Sequence, residues 1–155
     1  MDLRLESFLP YRLNRAAALA SKHFSQVYRA EFGLTVPEWR VLATLGHHGT
    51  ATASDIGRDS AMHKTKVSRA VASLQQRRWV ARATDEADRR LEHLSLTPAG
   101  RAAFDRLAPK MLACEETLLA RLTPRERAEL LRGLAVLERA LGIAAVAAEE
   151  GTTLR

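Results

Sequence analysis

Between His63 and Arg69 the sequence reads "HKTKVSR", which sets an imidazole, three cations and two hydroxyls within seven positions. The chain carries no nucleophile-and-base arrangement, phosphate-cradling glycine loop or H-E-x-x-H helix, so these groups point away from catalysis. What they can do is bind. Ammonium and guanidinium groups neutralise phosphates, and Lys, Arg, Thr and Ser can hydrogen-bond to base edges. A charge run by itself often does no more than solvate a helix, so the elements around it decide the matter.

Val67, Ala70, Val71 and Leu74 recur at i, i+3, i+4 and i+7, which predicts a helix from about 63 to 77 with one apolar stripe. Lys64, Thr65, Lys66, Ser68 and Arg69 fall mostly off that stripe. Upstream, "TASD" (Thr52 to Asp55) has the spacing of a helix cap and opens a short helix ending near Asp59. Downstream, Trp79-Val80 and Leu91, Leu94 and Leu96 predict two short strands around the charged turn "TDEADRR". A short helix, a tight turn, a longer basic helix and a hairpin with a charged tip make a winged helix-turn-helix. A helix fits the major groove of duplex DNA, and an Arg at the hairpin tip can enter the adjacent minor groove. Trp79 and Val80 would dock the end of the reading helix and fix its angle.

Net charge is +6 over 155 residues, and its distribution agrees with this reading. From Arg58 to Arg101 ten Lys and Arg face five Asp and Glu, a net +5 in the middle of the chain. Such a concentration points to a polyanionic partner. The 46% hydrophobic content is rich in Ala and Leu, with only 5% aromatic residues, and leans towards helix. No apolar run reaches membrane-spanning length, and the charged start does not read as a secretory signal, so a cytoplasmic setting and no membrane partner are expected. Cys114 is the only cysteine, which excludes an intrachain disulfide; its acidic neighbours favour a small buried residue over a redox thiol. His47 and His48 are expected in a loop without a third ligand, so no metal and no cofactor are implied.

The remaining elements are helical. A first long pattern starts near Pro10, carries Phe8, Leu9, Leu13, Phe24, Tyr28 and Phe32, and stops at Gly33. "TVPE" at Thr35 opens a second helix that ends around Gly46 to Gly49. "LTPAG" starts a long helix at Pro98, with Phe104, Leu107, Met111, Leu112, Leu118 and Leu119 expected inward and Pro109 expected to bend it. "LTPRE" opens the last helix, where Leu130, Leu134, Leu137 and Leu141 form a narrow seam suited to a partner helix.

With these residues in place, the sequence resembles the multiple-antibiotic-resistance regulator (MarR) family from about Leu5 to Leu141. "DEADRRLEHLSLTPAG" is similar to the family's D-x-R wing and L-x-LT-x-x-G hinge, with Asp88, Arg90, Leu94, Leu96, Thr97 and Gly100 on the motif positions. "LTVPEWRVLATL" and "KTKVSRAVASLQQRRWVAR" resemble its second helix and its recognition helix with the first wing strand. Two positions depart: Ala61 in the turn and Arg78 after the recognition helix stand where the family usually has Gly, which puts the local backbone geometry in doubt.

The resemblance implies a mainly α fold with a small β-hairpin wing: dimerisation helices over 1–34 and 98–142, a winged helix-turn-helix over 35–97 and a flexible tail over 143–155. It implies a homodimer on a pseudo-palindromic DNA operator, with reading heads about one DNA turn apart. The candidate DNA-contacting set is Thr52, Ser54, His63, Lys64, Thr65, Lys66, Ser68, Arg69, Arg77, Asp88, Arg89 and Arg90. The family commonly responds to small aromatic anions, so a repressor released by an aromatic acid or its CoA thioester is expected. Tyr11 and Arg15, with Trp39 and Arg40, are the candidate effector contacts, although Trp39 also fits a core role and Arg15 an intersubunit ion pair. The rival reading is an architectural DNA-binding protein without ligand control; a single protected palindrome or uniform coverage in a footprint separates the two.

Overall fold

The computed structural model describes residues 3–85, 88 and 91–143. Its helices begin and end where the chain carries local stop and start chemistry. Helix α1 (Leu9–Phe32) has Pro10 in its first turn and closes on Gly33, at φ 64°. Helix α2 (Val36–His48) opens on Thr35, whose hydroxyl accepts from the Glu38 amide while the Glu38 carboxylate accepts from the Thr35 amide. The same reciprocal pair, Thr52 with Asp55, opens α3 (Ala53–Asp59), and Thr123 with Glu126 opens α6 (Pro124–Ala140). Each box satisfies amides that the first helical turn would otherwise leave unbonded.

Between α2 and α3 runs a strand that the sequence pattern did not show, β1 (Thr50–Thr52). After α4 (Lys64–Gln76) come β2 (Val80–Thr84) and β3 (Glu92–Leu96). The expected two-stranded hairpin is therefore the outer part of a three-stranded antiparallel sheet of order β1-β3-β2. Ala51 lies opposite Leu94, and Val80 opposite Leu96. A second correction concerns His47 and His48, which form the last turn of α2 rather than a loop because Gly49, not Gly46, caps the helix.

The core gathers Val41, Leu42 and Leu45 of α2, Ile56 of α3, Val67, Val71 and Leu74 of α4, and Val80 and Leu94 of the sheet. Tyr28 of α1 and Leu107 of α5 (Pro98–Leu119) join it. All four residues of the α4 stripe are buried, which turns the remaining faces of that helix outward. Two ion pairs from Arg106 and Lys110 to Glu31 tie α5 to α1. Leu112, expected inward, is exposed. It follows Met111 by one residue, about 100° further round the helix than the Leu107–Met111 line that meets the core.

The chain divides into two compact units, 1–114 and 115–155. In the second, Thr123 caps α6, and the Arg127 guanidinium donates to both carboxylate oxygens of Glu116. Helix α6 has no buried residue, and Leu130, Leu134 and Leu141 are exposed. Except for Ile143, the 143–155 tail lies outside the described residues.

Candidate nucleic-acid interface

His63 caps α4, its ring nitrogen accepting from the Thr65 amide at 3.4 Å. From there Lys64, Thr65, Lys66, Ser68 and Arg69 are all exposed on the first two turns. The side chains of Lys64, Lys66 and Arg69 have no ion-pair or hydrogen-bond partner among the described residues. The stripe that holds the helix down and the groups free to bind thus alternate along one short segment.

The far end of α4 is different. Arg77 donates to the Phe32 carbonyl at 2.8 Å and lies over the Trp79 ring, 5.4 Å from its centroid. Trp79 meets Phe32 edge-on at 5.1 Å. Arg78 adopts φ 59°, and the amides of Arg78 and Trp79 return to the carbonyls of Gln75 and Leu74 at 2.9 Å each. This is a helix stop of the kind glycine usually makes. Ala61, at φ 51°, makes the same stop between α3 and α4, with the Met62 amide returning to Gly57 at 2.9 Å. Both departures from glycine therefore sit in left-handed backbone, at a cost of about 1–2 kcal/mol each. The turn geometry survives because the returning hydrogen bonds overdetermine it.

One buried carboxylate joins α2 to α4. The Glu38 carboxylate accepts from the Ser73 hydroxyl on α4 with one oxygen. The other oxygen accepts from the Thr35 amide at 2.6 Å and the Thr35 hydroxyl at 2.7 Å. Burial works to raise its pKa, but the bonds from Ser73 and Thr35 and the charge of Arg77 outweigh it and lower it. Glu38 therefore stays ionised, and it ties α4 to α2.

Of the other candidates, Thr52 is committed to its capping box, with its hydroxyl 2.7 Å from Asp55, while Ser54 is exposed at the start of α3. Arg58 is paired with Asp55 at 2.8 Å and Asp59 at 3.3 Å. At the wing, the Asp88 amide donates to Asp85 at 2.9 Å, and the other Asp85 oxygen lies 2.9 Å from His93. Arg89 and Arg90 lie outside the described residues. Gly100 explains the hinge: a Cβ there would fall 2.1 Å from the Trp79 carbonyl oxygen. Thr97 completes the junction, donating to the Arg78 carbonyl at 2.7 Å and accepting from the Gly100 amide at 3.1 Å.

A separate cavity of about 330 Å³ opens between α1, α2 and α5, lined by Ser21, Phe24, Tyr28, Trp39, Arg40 and Met111 among others. Trp39 is half-buried and stacked between Tyr28 at 5.6 Å and Phe104 at 6.5 Å. Burial raises the Tyr28 pKa, with the charges of Arg29 and Arg40 and the Ser25 hydrogen bond working the other way. Arg40 also donates to the Ser60 carbonyl at 3.2 Å, in the turn that leads into α4. Tyr11 and Arg15 are exposed nearer the start of α1 and do not line this cavity.

A sequence profile described as MarR family matches residues 32–91. The uncharacterized HTH-type transcriptional regulator YfiV of Bacillus subtilis (strain 168) is 30% identical over 108 residues, 70% of this chain and 68% of YfiV. The chain belongs to the MarR family. A MarR-family transcriptional regulator from Silicibacter pomeroyi is 28% identical, with a TM-score of 0.74 over 94% of this chain and all of that one. Bordetella bronchiseptica BpsR, whose DNA binding is regulated by 6-hydroxynicotinic acid, is 25% identical, with a TM-score of 0.75 over 94% of this chain and all of BpsR.

As a MarR-family member the chain is a DNA-binding transcriptional regulator and not an enzyme. No helix among the described residues is long and apolar enough to cross a membrane. None of the described residues form a group of three or more His, Cys, Asp or Glu able to hold a metal ion, and His48 instead lies 3.2 Å from Asp59. Cys114 is free and half-buried. The MarR fold brings Trp39 and Arg40 to one cavity and leaves Tyr11 and Arg15 elsewhere. Sequence reasoning missed Ser21 and Tyr28 as cavity residues: Tyr28 sits on the apolar period of α1, which gives no sign that its ring borders an opening.

Proposed function

We propose that this MarR-family chain is a homodimeric repressor released from a palindromic operator by a small aromatic acid. The free N-terminal half of α4 reads the major groove, with Thr65, Lys66 and Arg69 as principal contacts and His63, Lys64 and Ser68 beside them. Thr52 and Ser54 add contacts from the start of α3, and Arg89 and Arg90, with Asp88, supply the wing. Arg77 is better assigned to the fold, since its guanidinium is already bonded to Phe32. The exposed leucine seam of α6 meets a second copy, because an apolar seam of this spacing gains stability only when covered.

The observation that carries the release step is the position of Arg40. Arg40 lines the aromatic cavity, and its guanidinium holds the Ser60 carbonyl, one residue before the strained Ala61 turn. A carboxylate entering the cavity competes for that guanidinium and loosens the turn that aims α4. A coupling of about 1–3 kcal/mol suffices for a working switch. The cavity takes a single-ring acid whole; of a CoA thioester it takes only the acyl part, with the nucleotide left outside. BpsR and its response to 6-hydroxynicotinic acid support an aromatic acid as the effector class.

Thermal shift with a panel of aromatic acids, 6-hydroxynicotinate included, followed by gel shift with the hits, tests this reading. Hits should lower operator affinity and quench Trp39 fluorescence, read in a Trp79→Phe background. Arg40→Ala, which removes the bond to Ser60, should lower operator affinity without effector, and the effector should lower it little further. Full release in Arg40→Ala with no Trp39 quench would place the effector elsewhere. Sedimentation of the protein as a monomer at micromolar concentration would remove the dimer.

A further inference from the structure

One face of the wing changes chemistry along its length. Val80 lies opposite Leu96, Arg82 opposite Leu94 and Thr84 opposite Glu92, so these residues share one side of the β2–β3 ladder. Near the core that side is buried Val80 and Leu94. Further out it becomes an ion pair, Arg82 to Glu92 at 2.6 Å, with the side chains 42% and 49% exposed. The pair looks across a cleft of about 200 Å³ at the free end of α4. Val71 and Leu94 line it, together with Lys64, Ser68, Arg82 and Glu92.

The position of this cleft follows from how a winged helix meets a duplex. A helix in the major groove and a hairpin tip in the neighbouring minor groove straddle the row of phosphates between the two grooves. The cleft between helix and hairpin is the part that faces that row. Among the lining residues Lys64, Ser68 and Arg82 carry groups able to bind a phosphate, and Glu92 is the one that would repel it.

We propose that Arg82 is a further DNA-phosphate contact, held in reserve by Glu92, which competes with the DNA backbone for its guanidinium. The inference rests on α4 being the reading helix. An exposed ion pair adds little net stability, so the exchange of partners is easy. A phosphate offers the guanidinium the same two-oxygen fork as a carboxylate. Glu92 then lowers affinity for all duplexes alike and leaves sequence preference to α4.

The test is anisotropy titration of the full-length protein with a labelled duplex at several salt concentrations. Glu92→Gln should tighten binding. Arg82→Ala should weaken it and flatten the slope of log affinity against log salt by about 0.9, whereas Arg82→Lys should keep the slope. In the Arg82→Ala background, Glu92→Gln should give little further gain, because there is no guanidinium left to release. A pair that merely braces the hairpin would make both single variants weaken binding, which overturns the proposal. Full additivity overturns it as well, since it reduces Glu92 to a general charge effect. Arg69→Ala, run in parallel, separates two failures. If it loses affinity while the Arg82 and Glu92 variants do not, only this proposal falls; if it too is silent, the reading of α4 itself is wrong.

Discussion

The two ends of α4 carry the same residue types and do opposite work. At the N-terminal end Lys64, Lys66 and Arg69 are exposed and have no partner among the described residues. At the C-terminal end Arg77 is bonded to the Phe32 carbonyl and lies over Trp79, and the chain is pinned through Arg78, Thr97 and Gly100. One end is held by the fold, and the other is left exposed. The lesson is that charge along a sequence is a sum over unlike cases. Arg58, Arg77 and Arg101 also add to the basic middle of this chain, yet each is bonded within the protein. A cation left without a partner is free to bind, whereas a partnered one such as Arg82 must first give its partner up.

The contrast can be broken most severely at the hinge. Gly100→Ala drives a methyl group into the Trp79 carbonyl, which is backbone and cannot swing aside. A loss of about 3 kcal/mol is expected, read as a fall in the urea midpoint, with operator binding lost because the anchored end of α4 shifts. An unchanged midpoint would mean that the α4–α5 junction is looser than its hydrogen bonds imply.

Arg77→Ala sharpens the comparison. It should lower stability by about 1 kcal/mol through the lost bond to Phe32, and leave the salt slope of DNA binding as it was. A slope flattened by about one unit would instead return Arg77 to the DNA-contacting set.

The smallest effect is a gain. Arg78→Gly should raise stability by about 1 kcal/mol, because glycine adopts the left-handed backbone at φ 59° without strain. Denaturation should show a higher midpoint at an unchanged slope. A loss of stability would show that the Arg78 side chain does work that the backbone does not reveal.

Most of the fold was legible because its signals are local. The pairs Thr35–Glu38, Thr52–Asp55 and Thr123–Glu126 each span three residues, and each opens a helix where the spacing predicts one. Strand β1 was not legible, since Thr50–Thr52 exists only by pairing with residues 93–95, some forty positions away. The free face of α4 could be read from the stripe that buries its opposite face. The internal use of Arg77 and Arg40 could not, because their acceptors, the carbonyls of Phe32 and Ser60, are backbone atoms that no residue type announces. Tyr11 and Arg15 were a sensible aromatic-and-cation pair by spacing, but the cavity opens further along α1, beside Ser21 and Tyr28.

The central claim is that the free half of α4 binds DNA while its anchored half holds it there. The direct measurement is DNA affinity across a salt series for the triple variant Thr65→Ala, Lys66→Ala, Arg69→Ala, with thermal unfolding followed on the same samples. These side chains are exposed, and the two cations have no partner among the described residues, so the unfolding temperature should barely move. Affinity should collapse, and the salt slope should flatten by about 1.8 if both cations meet phosphates. Wild-type affinity and slope in a folded triple variant would contradict the account.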